Sequence, residues 1–274
     1  MKPKPVYPLK NDRELGRAAE SLAGGWETIA RLSRRRFLQA GAAAVGGAIL
    51  GGAAGLLGGP QRLRADDAVK TGQFIFPRLQ FTVKDETIDR WNVGPVGDVN
   101  LRKKLMELTN INVSLEPKVV RLGDFDEMCL NPFVFMTSEG YFDLPPQEEW
   151  NLREFLERGG FIMADDCVYA SREDRFFRDY GKLINKLFPD NPMRKIPFDH
   201  EIFHVYYDMP NGSPHMQGVP HGAYGLFERG TGRIMTYSDP GDLHCGWMCR
   251  YWGMEKNIQA IKMGINVVIY FLTH

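Results

Sequence analysis

Two continuous apolar runs lie in the middle of the chain, and a segment with helical spacing separates them. The runs are residues 132–137 and 161–164, and neither shows the alternation of a strand with one solvated face. Strands buried on both faces of a parallel sheet have this pattern. Residues 147–158 carry apolar side chains at helical intervals, and Gly159-Gly160 ends that segment. A strand, a helix and a second strand in this order predict a crossover within a parallel sheet.

The remaining apolar pattern predicts further elements of the same domain. Short segments rich in strand-forming residues predict strands at residues 73–76 and 118–122, and a hairpin at 224–228 and 233–237. Helical spacing predicts helices at residues 99–109 (with Asp98 as N-cap), 172–188 and 255–272. The predicted fold class is α/β, with a mostly parallel central sheet flanked by helices and an added β-hairpin.

A different pattern fills the N-terminal region, where basic residues precede a weakly apolar stretch. Residues 33–38 read SRRRFL, and the apolar segment 37–58 is rich in alanine and glycine. An arginine pair, then Phe-Leu, then a mildly hydrophobic stretch is typical of a twin-arginine export signal, which a receptor reads as an address. We expect residues 1–65 to be this signal region. Residues 66–274 are then a single α/β domain that the twin-arginine translocase exports.

The fate of the apolar segment 37–58 stays open at this point. It approaches the roughly 20 residues that span a bilayer, and no clean small-residue cleavage site follows it. Cleavage would leave the domain periplasmic, and retention would anchor it to the membrane.

The charges of the two regions are opposite. Residues 1–65 hold 11 of the 34 basic and 4 of the 34 acidic residues, so residues 66–274 hold 23 and 30 and carry a net charge of −7. A mildly acidic domain does not attract phosphate backbones. We therefore expect no nucleic-acid partner.

Three segments of the predicted domain carry a family resemblance. They are residues 132–137 (PFVFMT), 152–166 (LREFLERGGFIMADD) and 200–204 (HEIFH). On these residues the chain resembles the bacterial domain-of-unknown-function family DUF4159, over roughly residues 72–273. The resemblance implies a flavodoxin-like fold similar to that of the class I glutamine amidotransferases. It assigns no activity.

The chemistry of the amidotransferases does not follow from this resemblance. The nucleophilic cysteine of those enzymes sits in a tight turn, with a glycine two residues to each side. None of the four cysteines of this chain has glycines at these positions, and they are Cys129, Cys167, Cys245 and Cys249. No His-x-Glu pair lies late in the chain either. We expect the scaffold without the glutaminase triad, and a fold alone does not define function.

Two adjacent carboxylates, Asp165 and Asp166, follow the second buried run. Ligands of doubly wound sheets bind beyond the carboxyl ends of the strands. A carboxylate pair there could bind a metal or perform acid–base catalysis. Glu139 follows the preceding strand and is expected on the same rim. The structural alternative is that these residues shape turns, which aspartate favours.

A second candidate group follows the hairpin, where Asp239, Asp242, His244 and Cys245 lie within seven residues. These residue types could bind a divalent metal at the same rim. The intervening Pro-Gly pair is typical of a turn, so a purely structural role is the alternative.

Residues 200–204 match the letters of the zinc-peptidase motif His-Glu-x-x-His. That motif requires an α-helix, which places both imidazoles on one face. The aromatic and β-branched residues and the prolines around it favour an extended segment instead. His204 could still point into a site as a loop residue.

We expect an exported protein of unassigned activity that binds a ligand or protein partner of the cell envelope at the strand-end rim. The alternative is a metal-dependent hydrolase that uses Asp165, Asp166, Asp239, Asp242 and one or more of His204, His221 and His244. A zinc metallopeptidase built on residues 200–204 is the third candidate function.

Overall fold

The computed structural model describes residues 72–168, 174–217 and 222–274. The twin-arginine region 1–65, with its apolar segment, lies outside these residues, and so does His221. Within the described part, no helix has the length and apolar character needed to cross a membrane.

A seven-stranded sheet forms the centre of the domain, in the order β2-β1-β3-β4-β7-β6-β5. The strands are β1 (Arg78–Gln80), β2 (Val119–Arg121), β3 (Phe133–Ser138), β4 (Phe161–Asp166), β5 (Arg194–Lys195), β6 (Tyr224–Phe227) and β7 (Ile234–Asp239). The strands β2, β1, β3, β4 and β7 run parallel, and β6 is antiparallel to both of its neighbours. The predicted α/β class with a mostly parallel sheet is confirmed, and so is the predicted hairpin, formed by β6 and β7.

Helices cover both faces of the sheet. They are α1 (Val96–Leu108), α2 (Phe125–Cys129), α3 (Pro146–Glu157), α4 (Arg175–Leu187), α5 (Leu243–Trp247) and α6 (Met254–Thr273). The core on one face joins α1, α5 and α6, and the core on the other joins α2, α3 and α4. Successive strand residues point to opposite faces. For this reason β3 supplies Phe133 and Phe135 to the first core, and Val134 and Met136 to the second.

The first strand begins later than the sequence predicts. Residues 73–76 contribute only an isolated bridge at Phe74, and the strand is formed by Arg78–Gln80. The rings of Phe74 and Phe76 pack against Phe133 at centroid distances of 5.5 and 5.3 Å. The apolar pattern there reflects burial in an aromatic cluster rather than pairing in the sheet.

The predicted N-cap of α1 is also wrong. The helix begins at Val96 with Pro95 as its N-cap, and Asp98 lies inside the first turn. Asp98 turns inward because Arg78 in β1 provides a buried partner for its carboxylate. The predicted helices at 147–158 and 255–272 are confirmed to within one residue at each end. The helix predicted at 172–188 is confirmed over Arg175–Leu187, and residues 172 and 173 lie outside the described part of the chain.

Candidate functional site at the carboxyl edge

The parallel strands β3, β4 and β7 end side by side at one edge of the sheet, called the carboxyl edge below. The register pairs Ser138 with Asp166, and Asp165 with Asp239. At most 1% of each of these residues is exposed to solvent. The edge therefore gathers three carboxyl groups where water cannot solvate them, so their hydrogen-bond partners decide what they can do.

Asp165 and Asp166 point to opposite faces of the sheet, because β4 continues through both residues. Asp165 accepts hydrogen bonds from the N–H groups of Leu243 (2.9 Å) and His244 (2.8 Å) at the start of α5. Asp166 accepts one from the N–H of Phe177 (2.7 Å) in the first turn of α4. Burial raises the pKa of both carboxyl groups well above the usual range. Through these hydrogen bonds, Asp165 stabilises the start of α5 and Asp166 stabilises the start of α4.

Asp239 stabilises the turn that follows β7. Its carboxylate accepts hydrogen bonds from the N–H of Gly241 (2.6 Å) and the hydroxyl of Tyr237 (2.7 Å), and also from Ser213. Burial raises the pKa of Asp239. Burial, and next the charge of Asp239, raise the pKa of Asp165. This set of donors favours a structural role for Asp239.

A buried ionic network joins β1, α1 and α5. Arg78 binds Asp98 through two hydrogen bonds, Nε to Oδ2 at 3.0 Å and Nη2 to Oδ1 at 2.6 Å. Its remaining nitrogen donates to the carbonyls of Trp91 and Val93. Nε2 of His244 lies 3.1 Å from Nη2 of Arg78 and 3.4 Å from Oδ1 of Asp98. Burial raises the pKa of Asp98, but Arg78 and His244 outweigh it and bring the pKa to about 2.

His244 also belongs to a cluster with two thiols. Ligand atoms of Cys167, His244 and Cys245 all lie within 4.8 Å of one another. Cys167 directly follows β4, and its Sγ is 3.5 Å from the Sγ of Cys245 in α5. All three residues are buried. The contact with Cys167, burial and the charge of Asp242 raise the pKa of Cys245 well above its usual value.

Glu139 and His204 occupy different places. Glu139 follows β3 at the carboxyl edge, where its carboxylate forms an ion pair with Arg90 at 2.7 Å. The ring of His204 has a partner at each nitrogen: Oδ1 of Asp208 lies 2.6 Å from Nδ1, and the carbonyl of Phe198 lies 2.8 Å from Nε2. Neither nitrogen of His204 is left for a metal.

The segment that contains His204 lies near the opposite edge of the sheet. It forms a single 3-10 turn, Glu201–Phe203, and not the α-helix that a zinc-peptidase motif requires. The ring of His200 packs against Phe227 and Tyr270, which contact the first residue of β7. The structure therefore does not bring residues 200–204 to the carboxylates at the end of β7.

An open cleft of about 580 Å³ lies at the carboxyl edge beside β1 and β2. Its lining includes the carboxylates Glu86, Asp124, Asp126 and Glu148, the guanidinium of Arg121, and the rings of Trp91 and Phe125. Two of these carboxylates have partners within the lining: Glu148 accepts two 3.0 Å bonds from Thr82, and Asp124 pairs with Arg121 at 2.9 Å. The side chains of Glu86 and Asp126 add further negative charge.

The family of the chain follows from a match along most of its length. The family model named Domain of unknown function (DUF4159) matches residues 76–272. The chain belongs to this family. No curated protein matches it. The DUF4159 match includes every strand and helix from β1 nearly to the end of α6, so the carboxyl edge, the thiol cluster and the cleft all lie inside the family domain.

Within this DUF4159 domain, two features were missed by sequence reasoning. The partnership of Arg78 with Asp98 joins residues that are 20 positions apart, and no local pattern marks it. The approach of Cys167 to Cys245 could have been found. Cys167 directly follows the strand-end carboxylates, and Cys245 directly follows His244. Two parallel strands that end at one edge bring such residues together.

Proposed function

We propose that the chain is an exported domain of the cell envelope that binds a ligand in the cleft at the carboxyl edge, without glutaminase chemistry. The observation that carries the proposal is the position and lining of that cleft. The SRRRFL segment and the apolar segment 37–58 support export by the twin-arginine translocase. The domain is then periplasmic, or anchored to the membrane through that apolar segment.

The strand order supports a flavodoxin-like scaffold similar to that of the class I glutamine amidotransferases. In sheets of order 2-1-3-4-5, ligands bind beyond the carboxyl ends of the strands, where the strand order reverses. Here β1 lies between β2 and β3, so the switch point is the crevice between β1 and β3. The cleft contains residues that follow β1 directly, such as Phe81 and Thr82. The cleft therefore adjoins the switch point on its β1–β2 side, at the same edge of the sheet.

The lining of the cleft indicates the chemistry of the ligand. The exposed carboxylates of Glu86 and Asp126 repel anions and accept hydrogen bonds from hydroxyl and ammonium groups. The rings of Trp91 and Phe125 offer flat apolar surface and attract cations. We infer a ligand that is rich in hydroxyl groups or carries ammonium groups. The sugars and free amino groups of peptidoglycan fragments supply both, and the carboxylates of such a fragment would face away from Glu86 and Asp126.

The contacts of the buried carboxylates favour binding over hydrolysis. Asp165, Asp166 and Asp239 each accept at least one hydrogen bond from a backbone N–H group. These bonds fix helix starts and a turn, and the alternation along β4 separates Asp165 from Asp166 across the sheet. The arrangement does not favour a shared metal or an acid–base pair built on these two residues.

Calorimetric titration of the full-length chain with a soluble muropeptide digest tests the proposal. We expect saturable binding by the wild type. The double variant Glu86→Gln, Asp126→Asn should bind at least ~10-fold more weakly, because each hydrogen bond to a charged group is worth about 1.5–3 kcal/mol. Both side chains are exposed, so the variant should fold normally.

The matched control is Glu255→Gln, an exposed carboxylate in the first turn of α6 and absent from the cleft lining. Its affinity should equal that of the wild type. The proposal is contradicted if the wild type does not bind the digest, or if the double variant binds as well as the control. Cleavage of the digest by the wild type, seen by mass spectrometry, would contradict a purely binding role.

A further inference from the structure

We propose that Cys167, His244 and Cys245 bind one zinc ion, with the carboxylate of Asp242 as the fourth ligand. The site joins the end of β4 to α5 and is separate from the ligand cleft beside β1 and β2. Two thiolates, an imidazole and a carboxylate are donors that zinc accepts, and four-coordinate sites without an open position are structural.

The distances agree with the dimensions of a zinc centre. Zn–S bonds of about 2.3 Å in a tetrahedron place two sulfur atoms about 3.8 Å apart. The sulfur atoms of Cys167 and Cys245 are 3.5 Å apart, and the His244 ligand atom lies within 4.8 Å of both. Side-chain shifts of about 1 Å would bring these three into coordination range. The carboxylate of Asp242 contacts the Cys245 thiol but lies outside the three-residue cluster, so it would move further to become the fourth ligand.

The orientation of His244 supports a ligand role. Its Nε2 is already committed, with Asp98 Oδ1 at 3.4 Å and the Arg78 guanidinium at 3.1 Å. Arginine can only donate, so Nε2 accepts from Arg78 in the metal-free protein. A metal on Nδ1 would move the proton to Nε2, which would then donate to Asp98, as the second nitrogen of zinc-bound histidines commonly does toward a carboxylate. The ring also has a hydrogen-bonding contact with the backbone of Gly94, which metal binding at Nδ1 would replace. Because Nε2 lies between Arg78 and Asp98, Nδ1 is the nitrogen that a metal would take.

The charges around the cluster favour a cation. Asp242 contacts the thiol of Cys245, and its second partner is the amide of Gln217 at 3.1 Å. Glu139 adds negative charge near Cys167. A zinc ion would offset these buried charges, and each cysteine would release its proton to solvent on binding.

Elemental analysis of the full-length chain, purified under reducing conditions without chelator, tests this proposal. We expect about one zinc per chain. The variants Cys167→Ser and Cys245→Ser should each lose at least ~80% of that zinc, because metal affinity depends on the full ligand set. Cys249→Ser and Cys129→Ser are the matched controls, since neither thiol belongs to the cluster, and both should retain the metal.

The absorption spectrum of the cobalt-substituted wild type tests the same site without the serine variants, so it remains informative if those variants fail to fold. Tetrahedral cobalt bound by two thiolates should produce intense visible bands and a thiolate charge-transfer band. The proposal is overturned if the reduced wild type contains no zinc and gives no such spectrum with cobalt. It is equally overturned if peptide mapping shows Cys167 and Cys245 joined as a disulfide in the natively exported protein. Neither result depends on ligand binding in the cleft.

Discussion

At the scale of the residue, the buried charge of Asp98 depends on Arg78. The two side chains form a bidentate pair inside the domain, and the same guanidinium lies 4.9 Å from the centre of the Phe135 ring. Removing one partner of a buried ion pair leaves the other charge unpaired. The loss in free energy of unfolding is then far larger than when an exposed pair is removed. Substitution of Arg78 should therefore lower the stability of the domain strongly.

The substitution Arg78→Met should destabilise the domain by about 3–5 kcal/mol, because Asp98 loses its buried partner. The exposed control Arg153→Met breaks a 3.1 Å surface pair with Glu157. Its effect should be at most ~1 kcal/mol. Chemical denaturation at neutral pH measures both. A similar loss in the two variants would contradict the account of Arg78.

The same pair predicts a pH dependence. The pKa of Asp98 is about 2 in the folded domain against an ordinary value of 3.8. Its contribution is thus complete above about pH 4 and is lost as the pH falls toward 2. Arg78→Met should lose this contribution, so the stability difference between wild type and variant should shrink in acid. The raised pKa values of Asp165 and Asp239 change the stability of the domain with pH in the opposite direction. The wild type and the variant both contain these two residues, so their effect cancels in the difference between the two proteins.

At the scale of the element, close packing of α5 on α6 fixes the position of the thiol cluster. Gly246 in α5 has no room for a side chain, since an added Cβ would lie 2.5 Å from the Cβ of Ala260 in α6. The same short helix carries His244 and Cys245, and Asp165 of β4 holds its first N–H groups. The position of α5 therefore depends on both β4 and α6.

Gly246→Ala should destabilise the domain by about 1–3 kcal/mol, because the added methyl overpacks the contact of α5 with α6. Gly181→Ala is the matched control in helix α4, where the nearest atom to an added Cβ is the flexible end of Met193 at 3.4 Å. That change should stabilise the domain by up to ~1 kcal/mol, through helix propensity. Thermal unfolding distinguishes the two signs. Equal effects would contradict the packing described here.

The elements show why part of the site could be predicted and part could not. The apolar runs at residues 132–137 and 161–164 predict the buried strands and locate the carboxylates at their ends. The prediction ended the second strand at residue 164, which left Asp165 and Asp166 free to act together as loop residues. The strand continues to Asp166, so the period of two sends the side chains to opposite faces. Hydropathy does not show where a strand ends in polar residues, because pairing decides it: Asp165 pairs with β7, and Asp166 pairs with Ser138 of β3.

At the scale of the whole molecule, polar chemistry is concentrated at the carboxyl edge. The cleft beside β1 and β2 opens to solvent and carries exposed carboxylates, whereas the carboxylates at the ends of β4 and β7 are buried and hold helices and a turn. The first region is available to a ligand and the second stabilises the fold. The assignment of these two roles is the central claim about this protein.

Hydrogen–deuterium exchange of the full-length chain, with and without a soluble muropeptide digest, tests that claim most directly. We predict slower exchange of backbone amides in residues 81–91 and 121–126, which line the cleft, and little change in residues 200–204. Slower exchange only in residues 200–204, or no change anywhere, would contradict ligand binding at the carboxyl edge.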